Sequence, residues 1–89
     1  MISQFGGLNF KQLVIEDGNT IYLQSYDDII CKYDQLEKKL YLYNRLWNSS
    51  RTTRQYFKNF INQFTCFNYN TKKGFEKQII KNNKIVTIN

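Results

Sequence analysis

The sequence predicts an α+β domain: a small antiparallel sheet, a four-strand meander plus a C-terminal edge strand, covered by two helices. Three observations lead there. Apolar and polar residues alternate in four short runs between residues 13 and 43; the alternation gives way after Trp47 to aromatics at helical spacing; and a β-branched run, "KIVTI", returns at 84–88. The order is ββββ-α-α-β within one domain, residues 1–89, because a chain of this length has room for one core. Such a chain buries roughly 60–65% of the surface it exposes when unfolded. Aromatics at 17%, apolar residues at 42% and the absence of proline describe a packed globule and exclude a disordered tail.

Residues 13–16 and 20–24 are β-rich runs around "EDGN". The Asp17-Gly18 and Gly18-Asn19 steps signal a tight hairpin, because a primed turn needs positive φ. Residues 29–33 and 40–43 follow, joined by the polar "DQLEKK". Ile29, Cys31 and Tyr33 are expected on one face and Ile30 and Lys32 on the other, while Leu40 and Leu42 oppose Tyr41 and Tyr43. A meander of this kind needs an apolar cover on one side. Tyr56, Phe57, Phe60, Ile61 and Phe64 supply it as the buried stripe of a helix that begins near Ser50. "CFNYN" reads as a loop. Thr71 then caps a second helix, with Phe75, Ile79 and Ile80 as its buried stripe and Lys72, Lys73, Lys77 and Lys81 largely outside it. "KNN" stops that helix, and the last strand takes a sheet edge, with lysine and asparagine around it.

Charge divides the chain. Residues 1–40 carry four lysines against six acids, a net of −2; residues 41–89 carry three arginines and six lysines against Glu76 alone, a net of +8. A basic half points to an acidic partner, most simply nucleic acid. Basic helices in a Lys- and Asn-rich proteome would look the same. Cys31 and Cys66 both sit among apolar residues and read as buried free thiols suited to a reducing cytosol, a single disulfide being the alternative. No run approaches the ~20 apolar residues of a membrane helix. "MISQFGGLNF" lacks the basic, apolar and small-residue regions of a signal peptide. The expected location is the cytoplasm, with no membrane partner.

The segment "WNSSRTTRQYFKNF" concentrates hydroxyls and arginines ahead of the aromatic stripe. A helix start leaves four backbone N–H groups without intrahelical partners, and one serine, Ser49 or Ser50, satisfies part of that need. Ser49, Arg51, Thr52 and Arg54 exceed what a cap requires, and arginines in a first turn oppose the helix dipole. Free N–H groups, hydroxyls and guanidinium groups are the parts of a phosphate site. Capping plus solvated charge accounts for the same residues. With Lys72, Lys73, Lys77 and Lys81 they form the expected contact set for an anion, a nucleic acid or another partner. Tyr41 and Tyr43, opposite the leucines of their strand, would stack bases if that side of the sheet is open, or merely stabilise the sheet; Tyr22 would extend the patch.

The chemistry of catalysis is thin. There is no histidine, the commonest general base and metal ligand, and two cysteines alone cannot complete a zinc site. Gly6-Gly7 lacks the lysine of a phosphate-cradling loop. Asp27 and Asp28 are adjacent, so on a strand they would face opposite ways; Asp34 belongs with the turn after Tyr33. The expectation is no enzyme, no metal and no cofactor.

One pattern crosses these elements: Ser25, Tyr26 and Ile29, then a strand pair, then Trp47, Ser50, Thr52 and Thr53 ahead of a helix with Phe60. It resembles a group of small proteins from phages and other mobile elements that share a Ser-Tyr-x-x-Ile … Trp-x-x-Ser-x-Thr-Thr arrangement, over about residues 22–64. Asp28 and Tyr56 stand where that group favours threonine and histidine. The resemblance implies an accessory gene of a virus or plasmid, with host interaction or defence inhibition in the manner of anti-CRISPR proteins among its jobs. Two functions follow. The first is a non-catalytic inhibitor or takeover factor bound to a host protein or nucleoprotein. The alternative is a direct nucleic-acid-binding module that uses the basic C-terminal half.

Overall fold

A computed structural model describes residues 2–4 and 12–88, so Gly6-Gly7 lies outside the described residues. Six strands, β1 (Ile2–Gln4), β2 (Gln12–Asp17), β3 (Thr20–Ser25), β4 (Asp28–Asp34), β5 (Lys39–Tyr43) and β6 (Ile85–Ile88), form one sheet in sequential order. A short 3₁₀ helix at Leu46–Asn48 leads from β5 into α1 (Arg51–Phe64), and α2 (Lys72–Lys81) follows. The α+β class is as expected; the sheet differs in two respects. β1 adds an antiparallel strand beside β2, so the meander has five strands and not four. β6 does take an edge, but it runs parallel to β5. Parallel neighbours need a long crossover, and both helices lie in the connection between these two strands.

The turns follow from side-chain chemistry. Asp17 pairs with Thr20 across a two-residue turn in which Gly18 takes a φ of 62°, a conformation open to glycine at no steric cost. Tyr26 occupies the same region, φ 56°, in the equally short turn that pairs Ser25 with Asp28. There the left-handed backbone is strained, because a bulky side chain disfavours it. Beyond β4, Asp34 Oδ1 accepts hydrogen bonds from the N–H groups of Leu36 (2.9 Å) and Glu37 (3.2 Å), which folds the chain back toward β5.

The sheet's covered side holds Val14, Ile21, Leu23, Cys31, Tyr33, Leu40, Leu42 and Ile85, all buried. A register shift between Leu23 and Gln24 opposes Leu23 to Cys31 and Gln24 to Ile29, which leaves Ile30 as an extra residue in β4. This bulge corrects the expected alternation: Ile30 is buried beside Cys31, and Ile29 moves to the partly exposed side. Phe57, Phe60 and Ile61 of α1 have no exposed surface, whereas Tyr56 and Phe64 are half-buried against the core. Phe75 anchors α2 alone, with Ile79 packed partly beside it. Ile80, expected in that stripe, is 84% exposed. At 100° per residue it stands far round the helix from Phe75, on the side of Lys73.

The loop between the helices contributes to the core, which its polar composition conceals. Phe67 and Tyr69 are buried. Tyr69 joins Trp47, Phe57 and Phe75 in a cluster in which every pair of rings lies between 5.1 and 6.4 Å, mostly edge to face. Such pairs each add ~0.5–1.5 kcal/mol beyond their burial. Asn62 fixes the loop to α1 by accepting from the N–H of Tyr69 (2.7 Å) and donating to its carbonyl (3.0 Å). Cys31 is buried and Cys66 is exposed, both as free thiols, so the expected burial of Cys66 is corrected: it stands at the turn into the loop and not in the apolar stripe.

Candidate functional site

The α1 N-terminus forms as its sequence demands. Ser50 is the cap, its Oγ accepting from the N–H of Thr53 at 3.1 Å. Ser50 Oγ also donates to Thr53 Oγ1 at 3.0 Å, and Thr53 Oγ1 lies 3.5 Å from Ser25 Oγ. Ser25 and Thr53 are the buried polar residues of the described core. The two halves of the Ser-Tyr and Ser-x-Thr-Thr pattern therefore meet in space: the hydroxyls tie the end of β3 to the first turn of α1. Burying hydroxyls without partners would cost a few kcal/mol, and the mutual bonding removes most of that cost.

This tie engages none of the expected anion set. Ser49, Arg51 and Thr52 are exposed. Arg51 and Thr52 border a shallow depression of about 500 Å³ along α1, with Gln55, Tyr56 and Asn59 as its other walls. Arg54 is turned away from them. Its Nη1 donates to Asn48 Oδ1 at 3.1 Å, tying the 3₁₀ helix to α1. Its charge also reaches Tyr69: burial raises the phenol's pKa, while Arg54 draws it down and Glu76 pushes it up. Arg54 is thus partly a structural residue.

Thr71 caps α2, its Oγ1 accepting from the N–H of Gly74 at 3.0 Å. Lys72, Lys73, Lys77 and Lys81 are all exposed. Lys73, Lys77 and Lys81 follow one another at four-residue spacing and project away from Phe75 and Ile79. Neither helix has an acidic residue in its first turn, and both have cations there, against a dipole preference of ~0.3–1 kcal/mol per charge. Glu76 belongs instead to a groove of about 390 Å³ between α2, the 3₁₀ helix and β6, with Arg45, Trp47 and Ile80 also on its walls.

Neither helix covers the other side of the sheet. Register places Ile15, Tyr22, Lys32, Tyr41 and Val86 in one row across five strands, and Tyr43 two residues beyond Tyr41. All six are partly exposed. Lys32 Nζ lies 4.8 Å from the centre of the Tyr41 ring and Lys39 Nζ 5.4 Å from it. Cation–π contacts at exposed sites contribute only ~0.5–1 kcal/mol each. Sequence reasoning singled out the tyrosines and missed both lysines; the strand register, which puts Lys32 directly across from Tyr41, was the signal that composition lacks.

The described residues include no group of three or more cysteines and carboxylates arranged to hold a metal ion, and no helix long and apolar enough to cross a membrane. The model of a family of unknown function, DUF8033, matches residues 3–83. The chain belongs to that family. No curated protein and no solved structure matches it. The DUF8033 match spans both halves of the hydroxyl tie and the whole of α2, and ends before β6.

Proposed function

We propose that this DUF8033 protein is a non-catalytic module that binds nucleic acid, free or within a host nucleoprotein, through the basic surface of its C-terminal half. The observation that carries this reading is the exposed row of Lys73, Lys77 and Lys81 on the side of α2 opposite its buried residues. Arg51, Thr52 and Ser49 at the α1 N-terminus support it, since exposed hydroxyls and a cation lie where a helix already favours an anion. Holding like charges four residues apart costs a few tenths of a kcal/mol per pair. A mobility-shift series with single- and double-stranded DNA and RNA tests the proposal. Binding at low salt that weakens steeply as salt rises is the expected result. Failure to shift any of the four would end the reading.

A host-protein partner is the second reading, favoured by Ile80. This side chain is 84% exposed on the wall of the groove that Trp47 also lines. An apolar wall rimmed by Arg45 and Glu76 has the anatomy of a small protein-contact patch. The resemblance to mobile-element proteins implies the setting, an accessory gene of a virus or plasmid, with host interaction or defence inhibition among its jobs. A stoichiometric partner captured from host lysate by the parent chain and lost by Ile80→Glu would favour this second reading over direct nucleic-acid binding.

A further inference from the structure

The open side of the sheet sets lysines beside its tyrosines. A tyrosine on a sheet surface ordinarily packs against aromatic or β-branched residues on the neighbouring strands. Tyr22, Tyr41 and Tyr43 each have such a partner on one flank, Ile15, Val86 and Ile88. Tyr22 and Tyr41 both face Lys32 on the other, so neither of these two rings has an aromatic cross-strand partner. Tyr41 and Tyr43 lie on one strand, two residues or ~6.8 Å apart. The three rings are spread across the surface and are partly exposed. Two ammonium groups gather at the central one.

We propose that this surface is a stacking platform for single-stranded nucleic acid, with Tyr41 receiving a base and Lys32 and Lys39 receiving the adjacent phosphates. The inference rests on the nucleic-acid reading above and narrows it to single strands. Aromatic faces bind bases of any sequence, but only bases that are not enclosed in a duplex present a free face. The ~6.8 Å between Tyr41 and Tyr43 is twice the ~3.4 Å rise per nucleotide of a stacked strand, so each ring would meet a separate base of a stretched one. In the free protein the lysine amines rest over the Tyr41 ring. Exposed cation–π contacts are weak, so the amines can move outward to phosphates and give up the ring to a base.

A second copy of the chain fits this surface less well. Lys32 is on β4, an inner strand of the sheet, and a two-fold pairing centred there would set Lys32 against its own copy. The chain's net charge of +6 adds to that repulsion and favours a polyanion.

Fluorescence anisotropy with end-labelled oligo(dT) and oligo(U) 12-mers, and with a duplex of the same length, tests the proposal. The parent protein is expected to bind the single strands more tightly than the duplex. Tyr41→Ala should weaken single-strand binding about tenfold, and Tyr41→Phe should restore it, because the ring and not the hydroxyl is used. The paired substitution Lys32→Gln with Lys39→Gln keeps the rings and should flatten the plot of log affinity against log salt by ~1.4, the value for two lost phosphate contacts on a single strand. It also keeps the proposal testable should Tyr41→Ala fail to fold. Equal binding by the parent and the lysine pair, or a preference for duplex, overturns the platform while leaving the basic-surface reading intact. A dimer in sedimentation that Tyr41→Ala dissociates would assign the surface to a second copy and overturn it too. Absence of binding to every oligonucleotide would end both readings together.

Discussion

The two helices reach the same sheet by different means. α1 runs for 14 residues and places Thr53, Phe57, Phe60 and Ile61 in the interior, with Thr53 of its first turn joined to Ser25 and its C-terminal part clamped to the loop through Asn62. α2 runs for 10 residues and buries Phe75 alone. Its other attachments are lighter: partial packing of Ile79, a Thr71 cap in the open, and Gln78 Nε2 donating to the carbonyl of Asn68 at 2.7 Å. One helix is committed to the core over most of its length. The other is pinned at one ring and otherwise given to solvent and to lysines. A surface can carry unpaired cations, and keep them through substitution, where little of the fold depends on it.

The largest expected effect tests that contrast. Phe60→Ala should destabilise the domain by ~3–5 kcal/mol, a large part of the total stability of a chain this small, and abolish cooperative melting. Phe75→Ala removes a ring of the same size, but its loss should fall on α2. Hydrogen exchange is expected to show α2 amides exposed while β3, β4 and α1 stay protected. Simultaneous loss of protection everywhere would mean that the aromatic cluster of Trp47, Phe57, Tyr69 and Phe75 makes the helices a single unit.

The caps should separate the helices by a smaller margin. Ser50→Ala removes a cap and also leaves Thr53 with fewer partners, so a cost of ~2 kcal/mol is expected; Thr71→Ala, in solvent, should cost ~1 kcal/mol or less. Urea denaturation resolves the difference, and equal costs would show that the hydroxyl bond from Ser50 to Thr53 adds nothing. Gly74→Ala should give less than the ~1 kcal/mol that replacing a helical glycine brings, because the added carbon would sit 3.0 Å from Thr71 Oγ1.

The alkaline limb of stability belongs to the core on the α1 side. Burial, with a hydrogen bond to Cys66 as a lesser cause, pushes the Tyr33 phenol from its ordinary 10.0 up to about 12. The folded protein therefore keeps its proton where the unfolded chain loses it. The contribution is fully present below pH 10 and is lost as pH rises toward 12, so stability should fall across that window. Melting temperatures that stay flat through it for the parent, compared with Tyr33→Phe, would contradict this. Burial also raises the pKa of the Cys31 thiol, so Cys66 should react with a thiol reagent at once and Cys31 only on unfolding.

How far the sequence reaches depends on whether a pattern is local. The α1 stripe, both hydroxyl caps and the Gly18 turn are set by neighbours three or four residues apart, and they stand where spacing puts them. Features that depend on distant partners do not. β1 is three residues long and has meaning only beside β2. The bulge at Ile30 inverts two side chains because Leu23 faces Cys31, a pairing that no window along β4 contains. Phe67 and Tyr69 look like loop residues until Asn62 and Trp47 enclose them. The candidate site divides in the same way. The lysines of α2 and the tyrosines of β5 were visible, whereas the meeting of Ser25 with Thr53 and the gathering of Lys32 and Lys39 at Tyr41 needed the fold.

The charged side of α2 should be nearly silent in stability. Lys73→Glu with Lys77→Glu is expected to leave the melting temperature unchanged, since both residues are exposed and neither belongs to the core. The direct test of the account is the affinity of that double variant for an oligonucleotide, measured against the parent across a salt series. Weaker binding at every salt concentration, with a shallower slope of log affinity on log salt and an unchanged melting temperature, is the predicted result. Parent-like affinity and slope would contradict it and would leave the lysines of α2 as solvated charge.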